Sequence, residues 1–186
     1  MPLLLRRLAD VNEVFDLTVL RPIRVPRDKL IRPRELEKAV ELAARQLQGR
    51  GGVVVLLDAD DDAPCVLGPQ LLARARAERG DLPCSVVLAK TEIEAWFIAA
   101  LESLRRAGMA TENAVMPTDP EGIRAAKGWL SRAMIRRYSE VADQPGIMSR
   151  FDLNEARQGA PSFDKFFRDV ARMFEALREP PEEGDG

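Results

Sequence analysis

Val53-Val54-Val55-Leu56-Leu57-Asp58-Ala59-Asp60-Asp61-Asp62 is the stretch on which the fold turns. Its first five residues are a short, wholly apolar run. Such runs are strands buried on both faces, as in a parallel sheet covered by helices. Ser85-Val86-Val87-Leu88-Ala89 repeats the pattern. Helical signals surround the two. Before them, Leu4, Leu5, Leu8 and Val11 form a stripe over Pro2–Val11, and Pro33 opens a helix whose face carries Leu36, Ala39, Val40, Ala43 and Leu47 and which ends near Gly49. Between them, Pro69 opens a helix that stops at Gly80. After them, Thr91 begins a long helix through Arg106, closed by Gly108. Val14–Val25, rich in β-branched and apolar residues with Pro22 inside it, reads as an extended segment that frays or sits near a sheet edge. Alternation of this kind predicts an α/β domain with a mainly parallel sheet.

From Met109 the strand signal vanishes. Asp119-Pro120 caps a helix through about Tyr138, short helical pieces follow between Asp143 and Arg157, and Ser162 caps a last helix from Phe163 to Arg178. The expected organisation is one domain over 1–178. Residues 1–108 form its sheet-and-helix core, 109–178 a helical C-terminal extension, and 179–186 a disordered acidic tail.

Composition narrows the chemistry. The chain has 186 residues, 28 Lys+Arg, 30 Asp+Glu and no histidine. Imidazole acid–base work, Ser-His-Asp or Cys-His nucleophiles and His-ligated zinc are therefore excluded. Cys65 and Cys84 make neither a disulfide framework nor a closely spaced metal clip. Of the 28 cations 23 are arginine, which suits phosphate contacts and equally a GC-rich genome. A net charge of −2 argues against sequence-blind adhesion to nucleic acid, though not against a local groove. No apolar stretch approaches the ~20 residues of a membrane span, and the expected location is the cytoplasm.

Four carboxylates in five positions follow the first strand, where ligands of open α/β sheets bind. Asp58 and Asp60, two apart, would face one side of an extended chain and suit Mg²⁺, which takes one or two carboxylates and fills its shell with water or phosphate. The competing explanation is an acidic turn in which Asp61 or Asp62 caps a helix. Beyond the second strand, Thr91 and Glu94 have the spacing of a capping box. Glu92 stands between two roles, metal ligand and partner of its own helix dipole. Lys90 would neutralise these acids or contact a phosphate. Trp96, Phe97 and Leu101 read as core. The apolar strand ending in Asp58 is similar to a Walker B segment, but no Gly-Lys-Ser/Thr loop accompanies it, so an ATPase is rejected. An acyl-phosphate receiver using Asp58 lacks its acidic pair after an earlier strand.

Taken in order, Leu56–Asp62, Leu88-Ala89-Lys90, Glu92–Phe97, Ala126-Lys127-Gly128-Trp129-Leu130, Asp143-Gln144-Pro145 and Ser162–Phe166 give the chain its resemblance. It resembles an uncharacterised bacterial family of domains of unknown function whose core is similar to the Toprim (topoisomerase–primase) fold. The resemblance implies a Toprim-like sheet, Mg²⁺ (or Mn²⁺) as cofactor, and work on phosphodiester bonds, with Asp58 and Asp60 as the metal-binding Asp-x-Asp pair. It also implies an ATPase partner. One element of the pattern is missing: the chain begins at Met1-Pro2-Leu3-Leu4-Leu5, inside the first helix, without the fold's N-terminal strand and its Glu. Three accounts compete: a longer natural protein, a third carboxylate from Glu92 or Glu94, and a binding module without catalysis.

The expectation is thus a Mg²⁺-dependent, Toprim-like nuclease. Asp58, Asp60 and Glu92 would be its catalytic groups, and Asp58, Asp60, Asp61 and Glu94 its metal shell. Lys90, Arg21, Arg24 and Lys127 would contact substrate, and Asp143 and Gln144 would brace the site from behind. The alternative is a non-catalytic partner module that binds nucleic acid or an ATPase through its Arg-rich segment and helical second half.

Overall fold

A computed structural model describes residues 1–178, and the tail expected over 179–186 lies outside the described residues. Two strands and ten α-helices are found among them. In chain order they are α1 (Pro2–Val11), α2 (Arg27–Leu30), α3 (Glu35–Gln46), β1 (Val53–Asp58), α4 (Pro64–Glu78), β2 (Cys84–Ala89), α5 (Glu94–Ala99), α6 (Leu101–Arg106), α7 (Ala126–Ala133), α8 (Glu140–Met148), α9 (Leu153–Gly159) and α10 (Pro161–Arg178), with a 3-10 turn at Pro120–Gly122.

β1 and β2 are parallel and in register from Val53 opposite Cys84 to Asp58 opposite Ala89. Their period of two divides the core. Val53, Leu57, Cys84, Val86 and Leu88 face Leu36 and Val40 of α3 and Leu71 and Ala75 of α4. Val87 and Ala89, with Val54 and Leu56 beside them, face Leu4 and Leu8 of α1, α5, and Phe163, Phe166 and Val170 of α10. β2 is buried at every residue, as its apolar run predicts, whereas β1 is fully buried only at Val53 and Leu57.

The larger core is aromatic. Trp96 stacks on Phe166 at 5.4 Å and meets Phe163 edge-on at 5.1 Å, and Phe151 bridges Phe97 and Phe163 at 5.5 Å each. Trp96, Phe97 and Leu101 are fully buried, in agreement with their reading as core.

Several expected elements take another form. Val14–Val25 joins no ladder, and the sheet has no third strand among the described residues. Val14 turns back to donate its N–H to the Ala9 carbonyl, and Pro22 and Pro26 have no N–H to give. The helix expected to open at Pro69 begins at Pro64, with Pro69 inside it; both prolines fit a first turn, and Pro64 takes that place. The long helix expected from Thr91 to Arg106 is two helices broken at Ala100. There α9 crosses: a Cβ on Gly159 would come within 2.9 Å of the Ala99 Cβ, and the Ser103 N–H donates to the Glu155 carboxylate at 2.9 Å. Asp119 does cap, accepting from the Gly122 N–H at 3.0 Å, but only the 3-10 turn. α7 then stops at Ala133, because the chain enters an antiparallel bridge between Met134 and Ala110. Ser162 lies in the first turn of α10 and spends its hydroxyl elsewhere, as described next.

Candidate functional site

Pairing continues past the strand ends. The Ala59 N–H donates to the Ala89 carbonyl at 2.8 Å and the Asp60 N–H to the Thr91 carbonyl at 3.2 Å. Asp60 and Thr91 both adopt left-handed backbone, with φ of 50° and 65°. These two bends, uncommon for residues with a Cβ, separate the side chains that follow.

Asp58 turns toward the β2 loop, where its Oδ1 accepts from the Ile93 N–H at 2.9 Å. Asp60 and Asp62 turn the other way, to Arg27. Its Nε lies 3.2 Å from Asp60 Oδ2, its Nη2 pairs with Asp62, and the same guanidinium donates to the carbonyls of Asp58 at 2.8 Å and Ala59 at 2.9 Å. Asp61 is exposed. The expected Asp58/Asp60 pair is therefore divided between two partners.

Glu92 lies before α5 and caps α7 instead: its Oε2 accepts the Lys127 backbone N–H at 2.9 Å, in the first turn of that helix. Thr91 and Glu94 form no capping box. The Thr91 hydroxyl donates to the Glu121 carbonyl at 3.0 Å, and Glu94 is fully buried with its Oε1 accepting from the Tyr138 hydroxyl at 2.9 Å. Glu94 Oε2 has no hydrogen-bond partner. What faces it is the Lys127 ammonium at 3.8 Å, which also lies 3.5 Å from Glu140 Oε2.

The electrostatics follow from this crowding. Burial raises the Asp58 pKa above the ordinary carboxylate range, and the charges of Asp60 and Glu92 add to it against the Ile93 N–H and Lys127. Burial likewise raises Glu94, with Asp58 adding, against the Tyr138 hydrogen bond and Lys127. Burial alone would lower Lys127, yet Glu94, Glu140, Glu92 and Asp58 together lift it above its usual value. Tyr138 is raised by burial and then by Glu94, so its hydroxyl stays protonated and donates. Asp58, Glu92, Glu94 and Glu140 thus share one resident cation.

A second buried carboxylate supports this group. Glu121 accepts from the Ser162 N–H at 2.9 Å and the Ser162 hydroxyl at 2.5 Å. The same hydroxyl oxygen accepts from Trp96 Nε1 at 2.7 Å and from the Lys90 N–H at 3.2 Å. The clamp ties the end of β2 to α10 and fixes the loop that carries Glu92 and Glu94.

The remaining candidates lie outside the cluster. Lys90 extends toward Asp119 at 3.9 Å. Arg21 and Arg24 are exposed on the segment before α2, where the Arg24 charge, after burial, lowers the pKa of the Met1 amine. Asp143 accepts from the Ser139 N–H at 2.7 Å and so closes the start of α8, and Gln144 is half-buried on the same helix. Tyr138 and Glu140 carried no signal of their own, although Tyr138 is the chain's one tyrosine. Among the described residues no three carboxylate or thiol side chains converge as a cation shell. The site offers Asp58 and Glu94 beside one lysine. That donor set fits a hard cation held by one or two carboxylates with its other positions open.

The family model "Domain of unknown function (DUF4276)" matches residues 4–171, and the chain belongs to that family. No curated protein and no solved structure matches it.

Proposed function

We propose that this DUF4276 chain is a Toprim-like, Mg²⁺-dependent nuclease that works with an ATPase partner. The observation that carries the proposal is Glu94 Oε2, a fully buried carboxylate oxygen without a donor, set beside a second raised carboxyl, Asp58, beyond the ends of two parallel strands. An unsatisfied buried acceptor costs about 1–3 kcal/mol, and more when charged. A fold that keeps one at this position gains if a ligand answers it. Asp58 and Glu94 would hold the cation. When bound, it would lower the pKa of a coordinated water and polarise a phosphate, chemistry that a chain without histidine takes from no imidazole.

The chain's own residues supply the rest. Tyr138 orients Glu94, the Ile93 N–H orients Asp58, and Glu92 fixes the start of α7 and with it Lys127. Lys127 carries the positive charge that faces Glu94, where a phosphate would approach, and Lys90 adds a second charge outside the cluster, beside Asp119.

Asp58→Asn tests the proposal. The amide oxygen still accepts from Ile93, so the fold stands while the charge is gone. Metal-dependent cleavage of DNA or RNA should be abolished, while the urea midpoint at neutral pH should not fall below that of wild type. If wild type and variant are equally inactive on single- and double-stranded DNA and RNA, and calorimetric titration with Mg²⁺ and Mn²⁺ gives no heat, the nuclease proposal fails. The second reading, a non-catalytic partner module, would then stand. Arg27 favours it, because a guanidinium already neutralises Asp60 and Asp62.

A further inference from the structure

Lys127 is held oddly for a lysine among four acids. Its ammonium sits 3.8 Å from Glu94 Oε2 and 3.5 Å from Glu140 Oε2, and it donates no hydrogen bond to either among the described residues. Lysines that serve as structural counter-ions normally close such distances, since a charge-assisted N–H···O bond is short, about 2.7–2.9 Å. The stem is long and flexible, the side chain is 41% exposed, and Glu140 lies outward at 57% exposed, so the ammonium has a partner on the solvent side if it leaves Glu94. Its backbone does not share this freedom. The Lys127 N–H is fixed to Glu92, and neighbouring Ala126 is fully buried. The anchor is rigid and the charged end is loose.

On these grounds, and resting on the metal-dependent reading above, we infer that the Lys127 ammonium is an exchangeable placeholder for the divalent cation. It neutralises Asp58 and Glu94 while the cation is absent and swings toward Glu140 when the cation enters. A protein cation that makes no hydrogen bond is cheap to displace. It still offsets the repulsion between two buried carboxylates, which Glu94 and Asp58 exert on each other. The exchange puts a positive charge at the rim beside the cation, where the phosphate of a nucleic acid would lie. Lys127 is a positioning residue for the empty site and a substrate contact for the filled one.

The test is calorimetric titration of the full chain with Mn²⁺ alone, in wild type, Lys127→Met and Lys127→Arg. A placeholder competes with the cation, so Lys127→Met should bind Mn²⁺ at least tenfold more tightly than wild type, and Mn²⁺ should raise its melting temperature more. Lys127→Arg keeps a competing charge and should bind close to wild type. If Lys127→Met does not fold, Lys127→Gln carries the same titration. Equal or weaker Mn²⁺ binding by the uncharged variant, with wild type binding normally, overturns the placeholder and leaves the nuclease proposal standing. No binding by any of the three overturns both.

Discussion

Ser162→Ala should cost far more than one hydroxyl ordinarily does, because three groups converge on that oxygen. Trp96 Nε1 donates to it at 2.7 Å, the Lys90 N–H at 3.2 Å, and it donates to Glu121 at 2.5 Å. Trp96 is fully buried, so its indole N–H is left without protein or solvent partner. Stranding a buried donor costs about 1–3 kcal/mol, and losing a hydrogen bond to a carboxylate a further ~1.5 kcal/mol or more. Glu121 keeps the Ser162 N–H at 2.9 Å, which limits the loss on that side. The expected total is about 3 kcal/mol. For a domain of this size it lowers the melting temperature by roughly 6–12 °C. Equilibrium urea unfolding of wild type, Ser162→Ala, Trp96→Phe and the double variant measures it. Once Trp96→Phe has removed the indole donor, Ser162→Ala should cost about 1–2 kcal/mol less, a coupling usual for groups in direct contact. Additive single costs, or a Ser162→Ala cost under about 1 kcal/mol, would refute the clamp.

The pH dependence of stability has a definite sign. Asp58, Glu94 and Glu121 have folded pKa values above their unfolded ones, so the stability they contribute is complete below about pH 4 and is lost as pH rises through the raised values. Without divalent cation, the urea midpoint should fall from about pH 4.5 upward, and Glu94→Gln should flatten that fall; a flat wild-type profile would contradict it. Arg27→Met strips two carbonyls and two carboxylates of their donor and should cost about 1–3 kcal/mol in the same assay. Arg27→Lys should recover little, since one ammonium cannot reproduce a planar fork. Phe163→Ala removes a ring packed between Trp96 and Phe151 and should cost about 3–5 kcal/mol by chemical denaturation.

The two strands were legible to within a residue, because an apolar run has few other uses: Val53–Leu57 became Val53–Asp58, and Ser85–Ala89 became Cys84–Ala89. α1 and α3 likewise follow their stripes. What local pattern missed was settled at a distance. Nothing in Thr91–Arg106 announces the break at Ala100, because its cause is Glu155 and Gly159, more than 50 residues on. Val14–Val25 has the composition of a strand, but Pro22 within it and Pro26 just after it leave it short of donors. At the site, the acids were visible and their allegiances were not. Spacing puts Asp58 and Asp60 on one side of an extended chain, and the φ of 50° at Asp60 undoes that geometry. Glu92 and Glu94 were recognisable as a pair, yet one caps α7 and the other is buried against Tyr138, partners that lie 35 and 44 residues away. Of Arg21, Arg24, Arg27 and Lys29, only Arg27 reaches the end of β1, and nothing in the sequence singles it out.

The guanidinium of Arg27 has a bearing on how the sheet ends. Along β1 the odd-numbered N–H groups, from Val53 to Ala59, point at β2, so the Asp58 carbonyl points off the other edge. Arg27 occupies it with a side-chain donor, as the backbone of a neighbouring strand otherwise would. Any segment that extended the sheet at that corner would have to evict the arginine first. In doing so it would set Asp60 and Asp62 loose beside Asp58, so that growth of the sheet and the charge of the strand-end loop are mechanically one event.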